Sequence, residues 1–387
     1  MEKLRSKMNK TVIYILFSVF ISTFAIGMPS TAQTIKTTAR AAYIIDLSTD
    51  TVLLSKNVDI GLPPASMSKL MTIYIVFELI KNQSLSLDDK FIVSKKAWRK
   101  GGSKMFVKIG DRVTISDLLR GIIVQSGNDA CIVLAEGISG SEAAFAHVMT
   151  QKAGELGLEN STFSNATGWP HPNQLMSARD LGTLSALMIK NFPKLYKIFA
   201  EKTFRYNRIK QGNRNPLLYE NIGADGLKTG HTKAAGYGLT ASAIRNGRRI
   251  IVVLNGMTSA RQRSIESLRL MEWAFRSFKP IALFKKNEEV TQADVWLGTS
   301  KRLPLVASRD IKITLPVVAI RKLNLTVVMD NPIPAPIKMG KALAMLKIAA
   351  PGIQNKAIEL LAGKDVGQLG LIGRLGAAIK HVLWGPP

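Results

Sequence analysis

Three short strings carry residue types that could do acyl-transfer chemistry. Ala65-Ser66-Met67-Ser68-Lys69 opens an apolar run, and the spacing of Ser66 and Lys69 sets both side chains on one face of a helix. A serine hydroxyl is a poor nucleophile until a base takes its proton, and a lysine can be that base where desolvation or nearby cations leave it neutral. The start of the helix adds partial positive charge that favours an anionic oxygen there. This pair alone proves little: a chain of this length holds about two Ser-x-x-Lys matches by chance, each readable as a capping serine and a surface lysine. The second string, Gln125-Ser126-Gly127-Asn128-Asp129, follows Ile122-Ile123-Val124. Its hydroxyl and carboxamide offer a proton relay and a clamp for a peptide amide, although the same residues also suit a turn capping the next helix. The third is Asp225-Gly226-Leu227-Lys228-Thr229-Gly230-His231-Thr232. Lysine and threonine there can hold a carboxylate, and Gly230 lets a substrate backbone approach a strand edge. A chance Lys-Thr-Gly is roughly a one-in-ten event. Together, in order and each in context, the three strings point to a serine acyl-transfer site.

Such a site needs a frame. The stretch from Ser66 to Ile80 is apolar on nearly every side, which predicts a helix buried on most faces. Ahead of it, Ala41 to Asp46 and Thr51 to Ser55 flank the polar turn Leu47-Ser48-Thr49-Asp50, a strand pair. Further helices are expected at Ile115 to Val124, Asp129 to Gly137, Ser141 to Leu156 and Ser177 to Asn191. Gly238 to Ile244 and Arg249 to Leu254 then flank Asn246-Gly247, a pairing suited to a type I′ hairpin turn because both central residues take positive φ. Strands, a helical middle and strands again imply an α+β domain whose two ends share one antiparallel sheet flanked by helices. After a helix at about Ser264 to Phe278, residues 281 to 361 alternate and are rich in Val, Ile, Leu and Pro, which predicts a small all-β domain. From Leu369 to Trp384 helical spacing returns. Leu371, Ile372, Leu375, Ile379, Val382 and Leu383 share one face, with Arg374, Lys380 and His381 towards the other.

Composition bounds the setting. Lys and Arg number 53 against 27 Asp and Glu, a net charge of +26, with 46% hydrophobic residues and one cysteine. A disordered chain and a disulfide scaffold are excluded. Lys3, Arg5, Lys7 and Lys10 precede the apolar run Val12 to Ile26, and Ser30-Thr31-Ala32 supplies the small residues of a cleavage site. This reads as a secretory signal peptide over 1–32, shorter than the roughly 20 apolar residues of a membrane span. Export removes nucleic acid as a partner and turns the charge towards anionic lipid or an anionic envelope. Cys131 sits in an apolar helix and reads as a small core residue. His147, His171, His231 and His381 are too dispersed for a metal site, so neither metal nor cofactor is expected. The expected division is 1–32 signal peptide, 36–280 serine acyl-transfer domain, 281–365 β-rich domain and 366–387 amphipathic membrane-association helix.

Ser66-x-x-Lys69, Ser126-x-Asn128 and Lys228-Thr229-Gly230 resemble the three signature motifs of penicillin-recognising serine enzymes. The fuller strings Pro64 to Thr72, Ser126 to Ala130 and Asp225 to Thr232 are similar to low-molecular-mass penicillin-binding proteins of the D-alanyl-D-alanine carboxypeptidase family. The resemblance runs from about residue 36 to the C-terminus and takes in Val295-Trp296-Leu297-Gly298 and Ala335-Pro336-Ile337-Lys338. It implies a serine β-lactamase/penicillin-binding-protein-like domain, a β domain and a terminal helix that attaches to the inner membrane from the periplasm. It also implies Ser66 as acylated nucleophile, Lys69 as general base and Ser126 as proton relay. Asn128 would hold the substrate backbone, Lys228 and Thr229 the terminal carboxylate, and the backbone N–H groups of Ser66 and His231 the oxyanion. Arg214 and Arg263 stand where relatives place arginines near that carboxylate. Trp169, in Asn165-Ala166-Thr167-Gly168-Trp169-Pro170, departs from the smaller apolar residue commoner in the family. Substrates would be peptidoglycan stem pentapeptides losing their terminal D-alanine, and β-lactam antibiotics would bind covalently. Two alternatives are a β-lactamase, disfavoured because no Glu-x-x-x-Asn lies between Asn128 and Lys228, and a non-catalytic peptidoglycan-sensing module.

Overall fold

The computed structural model describes residues 35–375, which divide at Phe278 and Lys279 into two compact units. The expected signal peptide and the chain beyond residue 375 lie outside the described residues.

The first unit opens with β1 (Ala41–Asp46) and β2 (Thr51–Lys56), followed by α1 (Lys69–Lys81). The helical middle contains α2 (Lys95–Arg99), α3 (Ile115–Ile123), α4 (Asn128–Ser139), α5 (Glu142–Glu155) and α6 (Ala178–Asn191). Two small antiparallel pairs, β3 (Lys90–Ile92) with β4 (Arg112–Thr114) across α2 and β5 (Thr203–Tyr206) with β6 (Ile209–Gly212), are interleaved with them. The chain returns through β7 (Ala224–Thr232), β8 (Gly236–Arg245), β9 (Arg248–Met257) and α7 (Ala260–Arg276). The five longer strands make one antiparallel sheet in the order β2-β1-β9-β8-β7, so its two halves come from opposite ends of the unit.

Both faces of that sheet are covered, which explains the unbroken apolar run of β9. Ile250, Val252 and Leu254 pack with Leu270, Met271 and Ala274 of α7, while Ile251 and Val253 face the core shared with α1 and the other helices. Each such side chain contributes about 1.5–3 kcal/mol of burial. Asn246 and Gly247 carry φ of 50° and 76°, the geometry of a type I′ turn that sets the β8–β9 register. Thr114, Ser141, Ser177 and Ser259 each cap a helix by accepting from the backbone N–H three residues on. Ser259 starts α7 a turn earlier than the apolar spacing indicated, because the first turn, Ala260-Arg261-Gln262-Arg263, is mostly polar.

The second unit is all-β. β10 (Phe278–Phe284) pairs with β13 (Ile311–Pro316), and a six-stranded sheet runs β14-β16-β17-β12-β11-β15. Its members are β11 (Glu289–Trp296), β12 (Arg302–Ala307), β14 (Asn324–Met329), β15 (Ile333–Pro334), β16 (Ala342–Ala349) and β17 (Lys356–Ala362). Leu303, Leu305, Ile313, Leu315, Leu346, Ile348 and Leu360 form its core. Beyond β17, Val366 exchanges two backbone hydrogen bonds with Ile337, and residues 371–375 are helical. Among the described residues no helix is long and apolar enough to cross a membrane.

Candidate active site

Ser66 lies in a 3-10 turn, Ala65–Ser68, that runs into α1. The expected α-helix therefore begins three residues late, at Lys69. Ala65 sits at φ 48°, a left-handed conformation that a residue with a Cβ seldom takes. Ser68 Oγ donates to the Ala65 carbonyl at 3.0 Å and braces the turn. Lys69 is fully buried, and its Nζ reaches Ser66 Oγ at 2.8 Å and Asn128 Oδ1 at 2.8 Å, and donates to the Thr167 carbonyl. Burial, more than any other influence, depresses its pKa to about 8. Arg214 and Lys100 push the same way, while Cys131 and Asp129 oppose.

Ser126 also adopts a left-handed conformation, φ 66°, in the link between α3 and α4. Its Oγ is buried and has no hydrogen-bond partner among the described residues. A buried hydroxyl left unsatisfied costs about 1–3 kcal/mol, and this one keeps both its donor and its acceptor capacity for a reacting group. Asn128 opens α4 and is clamped from both ends, Oδ1 accepting from Lys69 and Nδ2 donating to the Gly101 carbonyl at 2.9 Å. The Asp129 carboxylate accepts from the backbone N–H groups of Met105, Phe106 and Ala130, which fastens the 101–107 loop to α4. Asn165 does the same for the loop behind Lys69: its Oδ1 accepts from Thr167 N, Thr167 Oγ1 and Trp169 N. Trp169 is partly exposed at the rim, with Lys100 Nζ 4.4 Å from its ring centroid.

The third string forms β7, an edge of the sheet. Lys228, Thr229 and Gly230 are buried. A Cβ on Gly230 would stand 2.7 Å from the Pro64 carbonyl and 3.2 Å from Ala65 Cβ. Space expected for a substrate backbone thus belongs to the serine-bearing turn, which only a glycine lets pack this close. His231 is exposed and stacks on Tyr237, ring centroids 3.8 Å apart. Arg214 donates to Ser103 Oγ at 2.7 Å, and the Arg263 guanidinium lies 5.8 Å from the Tyr237 ring with its buried Nε unpartnered. Burial holds Lys228 well below the usual lysine range, and Lys69, Arg214 and Arg263 add to the effect as neighbouring positive charges. None of these four cations forms an ion pair among the described residues.

The arrangement joins a hydroxyl to a buried amine, sets a second unsatisfied hydroxyl in the same neighbourhood, and surrounds both with unpaired positive charge. That combination suits nucleophilic attack on a carbonyl whose substrate also carries an anion. The sequence alone does not mark Thr167, Asn165, Asp129 or Lys100 as site residues. Asp129 adjoins the second string and was legible only as a turn residue. Thr167 acts through a carbonyl that any residue supplies, so no side-chain signal marks it.

The sequence model of the family described as D-alanyl-D-alanine carboxypeptidase matches residues 28–258, and that of the penicillin-binding protein 5 C-terminal domain matches residues 278–368. D-alanyl-D-alanine carboxypeptidase DacC of Escherichia coli (strain K12) is 36% identical over 369 residues, 92% of each chain. The structure of penicillin binding protein 5 from Haemophilus influenzae superposes with a TM-score of 0.78 at 34% identity, covering 87% of this chain and 100% of that one. Penicillin-Binding Protein D2 from Listeria monocytogenes, solved in the ampicillin-bound form, reaches a TM-score of 0.57 at 30% identity over 62% of this chain and 98% of its own.

Proposed function

The chain belongs to the D-alanyl-D-alanine carboxypeptidase family, and on that premise we propose which of its residues perform the reaction and where in the cell it works. It is a serine-type D-Ala-D-Ala carboxypeptidase that acts on peptidoglycan peptides and binds β-lactams. Ser66 Oγ attacks the carbonyl carbon of the penultimate D-alanine while its proton passes to Lys69 Nζ. Neutral Lys69 has two N–H bonds, and two of its three partners, Asn128 Oδ1 and the Thr167 carbonyl, can only accept. Its lone pair is left for the Ser66 hydroxyl at 2.8 Å, the observation that carries this mechanism. The backbone N–H groups of Ser66 and His231 receive the developing oxyanion. Ser126 passes the proton to the leaving nitrogen, the C–N bond breaks and D-alanine departs. Water then hydrolyses the ester and Ser66 regains its proton. Asn128 holds the peptide backbone, and Lys228 and Thr229, flanked by Arg214 and Arg263, receive the terminal carboxylate.

The same reading makes the enzyme exported and periplasmic, held peripherally on the inner membrane by the amphipathic segment 366–387. Support comes from the basic and apolar N-terminal stretch, the net charge of +26 and the exposed apolar side chains of Leu371, Ile372 and Leu375.

A D-alanine release assay on a stem pentapeptide, run beside labelling with a fluorescent penicillin, tests the function. Release of D-alanine together with slow-clearing label is expected. Rapid penicillin turnover without D-alanine release would make the protein a β-lactamase, and label without either activity would make it a sensing module.

A further inference from the structure

One end of the β unit is stitched from three loops. The turn Lys338–Lys341, with Gly340 at φ 83°, donates from Met339 N to Asp365 Oδ1 at 2.7 Å and from Gly340 N to the Ala362 carbonyl at 2.8 Å. Thr299 N donates to the Gly367 carbonyl, Leu369 N donates to the Leu297 carbonyl, and Lys364 Nζ reaches Ser300 Oγ at 3.0 Å. The loops at 297–301, 338–341 and 363–369 therefore form one platform, and residues 371–375 leave from it.

Its outer surface has a particular composition. Met339 is 65% exposed at the tip of its turn, a large apolar side chain that nothing in the unit covers. Exposed Lys338 and Lys341 flank it in the same turn, and Lys301 and Lys364 are exposed on the two adjoining loops. The nearby acids are engaged: Asp365 accepts from Met339 N, and Asp294 faces Arg302 at 3.9 Å. Directly along the chain follow Leu371 and Ile372, 79% and 91% exposed, with Leu375 and Arg374. An apolar tip flanked by lysines fits a boundary where the tip meets acyl chains and the lysines meet phosphates.

We propose that the turn Lys338–Lys341 is a second membrane contact, docking the platform of the β unit on an anionic lipid surface beside the terminal helix. This rests on the peripheral attachment above and deepens it. A helix alone would tether the enzyme; two contacts on one rigid platform fix which way the β unit stands on the bilayer.

The test uses the full mature chain with an environment-sensitive fluorophore on Met339→Cys, and separately on Ile372→Cys. The only native thiol, Cys131, is fully buried, so labelling is selective. Vesicles of phosphatidylglycerol with phosphatidylcholine should blue-shift both probes and expose both to quenching by spin-labelled lipid, whereas phosphatidylcholine alone should leave the turn probe unshifted. Lys338→Gln with Lys341→Gln should lower partitioning onto the anionic vesicles about tenfold, with penicillin labelling unchanged. A shift at 372 with the 339 probe still in water would overturn the second contact and leave helical attachment standing. Silence of both probes would remove the attachment reading as well. Crosslinking of position 339 to a protein in intact cells, with no response to vesicles, would give the turn to a protein partner instead and overturn the lipid assignment.

Discussion

Lys69 changes charge in a pH range where the enzyme can be assayed. Below its pKa of about 8 the amine is protonated and has no lone pair for Ser66, so kcat/KM for acylation should fall on an acidic limb near that value. A limb near the ordinary lysine value of 10.5 would remove Lys69 as the base. The same shift has a thermodynamic sign. The unfolded chain keeps the ordinary value and so binds more protons between about pH 8 and 10.5, and this residue's contribution to stability should rise with pH across that window. Ser66→Ala should abolish covalent penicillin labelling while near-ultraviolet circular dichroism stays unchanged, and surviving label would exclude Ser66. Lys228→Gln should cost about 10- to 100-fold on peptides with a free carboxylate and far less on amidated ones, as a charge-assisted contact of about 1.5–3 kcal/mol implies. Residues acting through side chains in fixed spacing, such as Ser66 and Lys69, were readable from the sequence. Arg214 and Arg263 depended on resemblance, because their place beside Lys228 is made by distant parts of the chain.

Elements decide how these side chains meet. The hairpin at Asn246-Gly247, the capped helices and the doubly buried β9 follow from local patterns, since turn chemistry and periodicity act over a few residues. The 3-10 turn at Ser66 did not, because residues three apart lie on one face in either helix type. Nor did the close seat of β7 on that turn, which involves residues far apart in sequence. Gly230→Ala is the informative change. Its Cβ would collide with the Pro64 carbonyl, so β7 and the serine turn must part by a fraction of an ångström. A displacement of that order should lower kcat/KM about 100-fold while the thermal midpoint falls only a few degrees. Full activity in this variant would show that the spacing of the two elements is not what aligns nucleophile and carboxylate site.

The whole molecule separates chemistry from placement. The residues proposed for the reaction lie in the unit that ends at Phe278, and the candidate lipid contacts lie in the other. Val366 is buried and pairs with Ile337, so a clean release should cut after Leu369 rather than at the edge of the expected helix. Removing residues 370–387 should send an active, penicillin-labelled enzyme to the soluble fraction, as fractionation followed by labelling would show. A truncated protein that stays membrane-bound after confirmed signal cleavage would show that residues 370–387 are not the main anchor and would shift attachment to the remaining chain, the turn Lys338–Lys341 first.

The cluster of Lys228, Arg214 and Arg263, none of them in an ion pair among the described residues, makes the enzyme sensitive to its buffer. Charges of one sign held together without counter-charge are relieved by any small anion that can enter, so sulfate and phosphate should occupy the carboxylate position weakly. Their concentration should raise the melting temperature, as a ligand of the native state alone must, and in parallel raise KM for the peptide with kcat unchanged. Choice of salt thus becomes an experimental variable: the buffer that best preserves this protein in the tube is the one that most conceals its affinity for substrate.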